Sequence, residues 1–237
     1  MRTIFRRGRM RMVSESVALW WMPLAAFVLG AACLLGLRGD LWLADHVYAL
    51  EGGRWSLRSL WLTESVLHTG ARNASATAWV GVVLAWLATL LRGQWRAWRM
   101  PLGYLALAVL LGTSVVSVLK SFSPMDCPWD LARYGGTRAY HGLLQGSDLP
   151  GRCFPAGHAS AGYAWLALFF FFTAVKPAWR RHGLVVGVGL GLLFGLDQQL
   201  RGAHFLSHDL FTAMICWAVA LGLHRLMLPP RATGSAA

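Results

Sequence analysis

Charge is what this chain has least of. Only 14% of its 237 residues are charged, against about 25% in an ordinary soluble domain. That shortage comes with 56% apolar residues gathered into long runs, which argues against a water-soluble fold and makes the bilayer the expected solvent. Strict alternation of apolar and polar residues is missing too, so a membrane barrel is not expected. Internal repeats are lacking, and low-complexity sequence is confined to the small tail after Pro230. What charge there is leans basic, with a formal net charge of +12. The basic residues are spread through short segments between apolar runs, which leaves no folded basic face for nucleic acid.

Six runs reach or approach the roughly 20 apolar residues that a helix needs to cross a membrane. They cover about 17–37, 74–91, 102–119, 158–175, 184–200 and 208–228. The expected fold is all-α: one polytopic bundle of about six transmembrane helices. The first run follows Arg2, Arg6, Arg7, Arg9 and Arg11 in a basic segment, 1–16, and is too long for a cleaved signal. Gly30-Ala31-Ala32-Cys33 faintly resembles a lipoprotein cleavage site but lacks the Leu three residues before the Cys. An uncleaved first helix is therefore expected. Placing the N-terminus inside puts thirteen of the 22 basic residues in short inner segments, the arrangement that the positive-inside rule favours. The expected topology is N-in and C-in. Two outer segments remain. Residues 38–73 read as an interfacial stretch rich in Trp and Leu, and 120–157 as an ordered loop too polar to span. The tail is 229–237. Gly187, Gly189, Gly191 and Gly195 read as bundle packing.

Four cysteines are present. Cys33 and Cys216 lie in apolar runs and read as small core residues. Cys127 and Cys153 share the outer loop and could pair in an oxidising compartment.

Three polar clusters fall at helix ends that alternation brings to one side. Lys120 closes the third run. Cys153-Phe-Pro-Ala-Gly-His158 opens the fourth. Gln198-Gln-Leu-Arg-Gly-Ala-His-Phe-Leu-Ser-His-Asp209 joins the fifth to the sixth. Each suits a phosphate. Lys120 and Arg201 are cations, and Arg can fork onto two oxygens. Pro155-Ala156-Gly157-His158 is expected at a helix N-terminus, where free N–H groups favour an anion. His158 and His204 can divide the work of nucleophile and general acid.

These motifs resemble the type 2 phosphatidic acid phosphatase (PAP2) superfamily. Its pattern is Lys-x6-Arg-Pro, then Pro-Ser-Gly-His, then Ser-Arg-x5-His-x3-Asp. Lys120 with Pro128 matches the first motif, Pro155-Ala156-Gly157-His158 the second, and Gly202-Ala203-His204-Phe205 the third. The resemblance implies that His204 attacks phosphorus to form a phosphohistidine and that His158 protonates the leaving oxygen. It implies that Lys120 binds phosphate oxygens and that the backbone at Ala156 and Gly157 stabilises the transition state, with no metal and no cofactor. Cys127 and Gln198 stand where the family has arginines, and Ala156 where it has serine. Arg201 is the first candidate to replace a missing arginine, with Arg133, Arg138 and Arg152 next. His208 stands where the family has aspartate, and Asp209, one residue on, is the candidate to orient His204.

The function expected is a phosphatase of lipid-linked phosphate or diphosphate in a bacterial inner membrane, its site facing the periplasm. The partners expected are the lipid substrate and the bilayer, not nucleic acid, and no oligomeric state follows. Two alternatives are a repurposed lipid-phosphate-binding protein and a metal or haem protein using His141, His158, His204 and His208.

Overall fold

A computed structural model describes residues 18–142 and 151–228. The basic segment 1–16, the tail 229–237 and part of the outer loop lie outside the described residues. Among the described residues, six helices are long and apolar enough to cross a membrane: α1 Ala18–Gly36, α3 Leu62–Leu91, α4 Gly93–Ser121, α5 Gly157–Val175, α6 Pro177–Leu200 and α7 Leu206–Met227. A shorter helix, α2 Gly39–Leu50, follows α1. Among the described residues there is no strand, as the continuous apolar runs require.

The second span differs from the reading of its sequence. By sequence, residues 62–73 belong to the interfacial stretch 38–73, which mixes Trp and Leu with charges. They instead continue α3 without a break, to 30 residues. At 1.5 Å per residue that is about 45 Å, longer than a hydrocarbon core of about 30 Å. The polar turns can therefore stand clear of the apolar zone while remaining helical. The added part, Leu62–Gly70, is π-helical.

The core lies among α4, α5 and α7, where Tyr104, Val116, Ala159, Phe170, Ala220 and Leu221 are all but fully buried. α5 and α6 meet along a seam of small residues. A Cβ on Gly187 would sit 2.5 Å from the Leu166 backbone nitrogen, and one on Gly183 2.7 Å from the Leu168 carbonyl. Gly183, Gly187, Gly191 and Gly195 recur every fourth residue and so share one face; the first three pack against α5, and Gly195 makes room for the Asp209 carboxylate of α7. Gly189 lies off that face with open space beside it. α1 is peripheral. It is held to α7 by the Phe27–Phe211 ring pair at 4.8 Å and by the Trp217 indole N–H donating to Leu19 O at 3.0 Å. Cys216 is buried as expected, whereas Cys33 is exposed on α1.

One end of the bundle carries the described parts of the outer loop and α2. Cys127 and Cys153 are joined by a disulfide. Arg138 pairs with Asp126. Asp45 of α2 accepts from Arg133 Nε at 2.6 Å and from the Tyr134 hydroxyl at 2.9 Å. Rings of Tyr48, Trp55 and Tyr134 close over this corner at 5.2–5.5 Å.

Candidate functional site

The α6–α7 connection sets the position of His204. Gly202 turns the chain with φ 68°, and the Trp55 ring lies where a side chain at Gly202 would project. The Trp129 N–H donates to Gly202 O at 2.9 Å, and the Ala203 N–H to Gln198 O at 2.8 Å. Tied from both sides, the loop turns His204 inward until only 6% of it is exposed. Its Nδ1 lies 3.2 Å from His208 Nδ1, one turn into α7, and 3.6 Å from the Cys153 sulfur. When the His204 Nδ1–H donates to His208 Nδ1, the tautomer a nucleophilic role requires, the His204 Nε2 lone pair is left for chemistry. Burial pushes the His204 imidazole well below its usual 6.5, and the charges of Lys120, His208 and His158 push the same way. Such a ring is neutral at neutral pH, as a nucleophile must be.

Lys120 reaches this pair from the end of α4. Its side chain lies over the start of α5. A Cβ built on Gly157 would be 3.2 Å from Lys120 Cδ and 3.7 Å from Nζ, so glycine here lets the ammonium lie close to the helix start. The charge of Lys120 acts on His204, His208 and His68. The first turn of α5 brings its backbone N–H groups to the same place.

His158, on that turn, faces the π-helical start of α3. The Ala71 N–H donates to Val66 O, an i→i+5 link, after which the helix continues in α register. The change of register skips one carbonyl, that of Leu67. His158 Nε2 lies 3.2 Å from it, and the His68 ring stacks on His158 at 4.4 Å. Arg201 stands on the far side, with Nε donating to Arg58 O at 2.9 Å, and its charge bears on both His68 and His158.

The structure thus brings together Lys120, Gly157, His158, Arg201 and His204. It treats other expected residues differently. Asp209 does not meet His204: its Oδ2 accepts from Gln199 Nε2 at 2.5 Å. A carboxylate five residues after its histidine falls on another face of the helix, and His208, at four, makes the contact instead. The Ala156 N–H donates to His208 O at 3.3 Å, which leaves the N–H groups after it for an anion. Arg133 and Arg138 are held in ion pairs with Asp45 and Asp126, and Arg152 is exposed. Ser207 and Asp209 do not cap α7. Asp40 of α2 does, accepting from the Ser207 N–H at 2.9 Å.

Sequence reasoning missed His68, the Leu67 carbonyl and Asp197. The signal was Leu67-His68-Thr69, a polar turn entering an apolar run, which was read as interface. Among the described residues, two groups of side chains could hold a metal: Cys153, His204 and His208, and His68, His158 and Asp197. In the first, the disulfide leaves Cys153 no thiolate. His141 belongs to neither group.

A family model described as the PAP2 superfamily matches residues 101–231, more than half of the chain. No curated protein and no solved structure matches it.

Proposed function

The chain belongs to the PAP2 superfamily, whose members are generally phosphatases, and from that premise we propose that it hydrolyses a lipid-linked phosphate or diphosphate monoester. The observation that carries this reading is the buried, neutral His204 backed by His208 at 3.2 Å with the charge of Lys120 beside it. His204 Nε2 attacks phosphorus, and the P–O bond to the lipid breaks. The leaving oxygen takes its proton from His158. That residue donates its Nε2–H to Leu67 O, so the proton it gives is on Nδ1, which it carries only as the imidazolium. Water then attacks phosphorus and gives a proton back to His158 Nδ1, the P–N bond to His204 breaks, and phosphate leaves. Lys120, Arg201 and the first-turn N–H groups of α5 hold the charge that builds on the phosphoryl oxygens. These groups come from this chain, so the mechanism runs without a metal.

We place the site at the periplasmic face of a bacterial inner membrane, with N-in and C-in topology. The basic residues concentrated in the other set of loops support this. So does the disulfide beside the site, since such bonds persist in oxidising compartments. A headgroup site at a bundle end lets the acyl chains stay in the bilayer.

A second reading has support of its own. Both family arginines are gone: Cys127 is in the disulfide, and Gln198 bonds Asp197 at 2.6 Å. On this reading the chain binds lipid phosphate without turnover. Phosphate release from a panel of lipid phosphates in detergent separates the two. Wild type is expected to turn over at least one, with loss of about a thousandfold in both His204→Ala and His158→Ala. Binding without release across the panel would favour the second reading.

A further inference from the structure

Beside the His204–His208 pair lies a second cluster with a different character. His68 of α3, His158 of α5 and Asp197 of α6 each offer one ligand atom, and these atoms lie within 4.8 Å of one another. Neighbouring hydrogen bonds decide which atoms are left over. His158 Nε2 is taken by Leu67 O at 3.2 Å, so its proton sits there and Nδ1 keeps a lone pair. Asp197 Oδ2 accepts from Gln198 Nε2 at 2.6 Å, which leaves Oδ1. His158 Nδ1, Asp197 Oδ1 and His68 Nδ1 are all buried without a hydrogen-bond partner. Asp197 as a whole is only 2% exposed.

Leaving one buried polar atom unsatisfied costs about 1–3 kcal/mol, and here three neighbouring residues on three helices each hold one. A phosphate oxygen is itself an acceptor and would repel the Asp197 carboxylate. A cation that draws on all three lone pairs would satisfy them together. Two imidazoles and a carboxylate suit a borderline-soft divalent ion.

We propose that His68, His158 and Asp197 form a binding site for a zinc-type divalent metal, and that its occupation withdraws His158 from proton transfer. Tetrahedral zinc wants ligand atoms about 3.3 Å apart, so the rings close inward on binding. The Leu67 carbonyl serves as the outer partner that fixes the His158 tautomer and ring direction, as second-layer acceptors do at histidine metal sites. Arg72 and Arg201 bear on both rings and Lys120 on His68, so the ion binds reversibly against their charge. The inhibitory consequence rests on His158 acting as the acid in the reaction above; the binding does not.

The test uses the full-length protein in detergent. Cobalt(II) is titrated in as a visible probe and displaced by zinc. Wild type is expected to give tetrahedral or five-coordinate cobalt absorption at one ion per chain. The near-isosteric His68→Gln and Asp197→Asn variants, checked by melting temperature, are expected to bind at least tenfold more weakly. Absence of binding in wild type, or equal binding in both variants, overturns the site. Phosphatase assays then read the consequence. Zinc is expected to inhibit wild type reversibly, with the inhibitory concentration raised at least tenfold in His68→Gln. Zinc held at this site in a fully active enzyme overturns the inhibition. An enzyme without turnover on any lipid leaves the cobalt titration to decide the site by itself.

Discussion

His204 owes its chemistry to its neighbours more than to itself. Buried and close to cationic groups, it stays neutral, and His208 holds its Nδ1 side. A histidine in place of the family aspartate supplies direction without a full negative charge. This gives a residue-scale prediction. His208→Ala should lower kcat by between about a hundredfold and a thousandfold. Asp209→Asn, whose carboxamide still faces Gln199, should cost less than about tenfold. Comparable losses in steady-state assays of the two would return the orienting role to Asp209. Of the residues expected from sequence, the motif-bearing His158, His204 and Lys120 do converge. The orienting residue was the hardest to read, because positions 208 and 209 are separated only by where α7 begins. That start is set by Asp40, far away in sequence.

Among the elements, the six long apolar runs were legible because hydrophobicity along the chain reports directly on burial in lipid. The start of α3 was not, because a π-helical stretch bearing Glu64 and His68 carries no periodic apolar signal. The link between α2 and α7 was equally invisible: one carboxylate reaches a helix start 167 residues away. That link has a pH signature. Burial raises the Asp40 pKa from 3.8 to about 6, with the bond from Ser207 working against the rise. Between those values the folded state binds more protons than the unfolded, so this group's contribution to stability falls as pH rises through that window. By neutral pH the loss is on the order of 3 kcal/mol. Asp40→Asn, which keeps an acceptor for the Ser207 N–H, should melt higher than wild type at pH 7. The difference should vanish below about pH 4. Equal melting at both pH values would show that Asp40 carries no such burden. His204 has the opposite sign, since a histidine kept neutral by burial loses stability as pH falls below 6.5. Comparing each variant with wild type keeps the two effects apart.

On the scale of the whole molecule, four spans end or begin at one end of the bundle and deliver one group each to a single place. Lys120 ends α4, His158 starts α5, Arg201 follows α6 and His204 precedes α7. α3 adds the Leu67 carbonyl and the His68 ring from the side, and the Cys127–Cys153 disulfide lies beside His204. Chain alternation made the meeting of the first four readable in advance. The contribution of α3 needed three dimensions. The account as a whole stands on His204 accepting the phosphoryl group. Rapid acid-free quenching of the reconstituted enzyme during turnover of a lipid carrying radiolabelled phosphate tests this most directly. The prediction is a label bound to the protein that survives base, is lost in acid, maps to His204 and is absent from His204→Ala. A turning-over enzyme with no trapped label, or one whose label persists in His204→Ala, would contradict it.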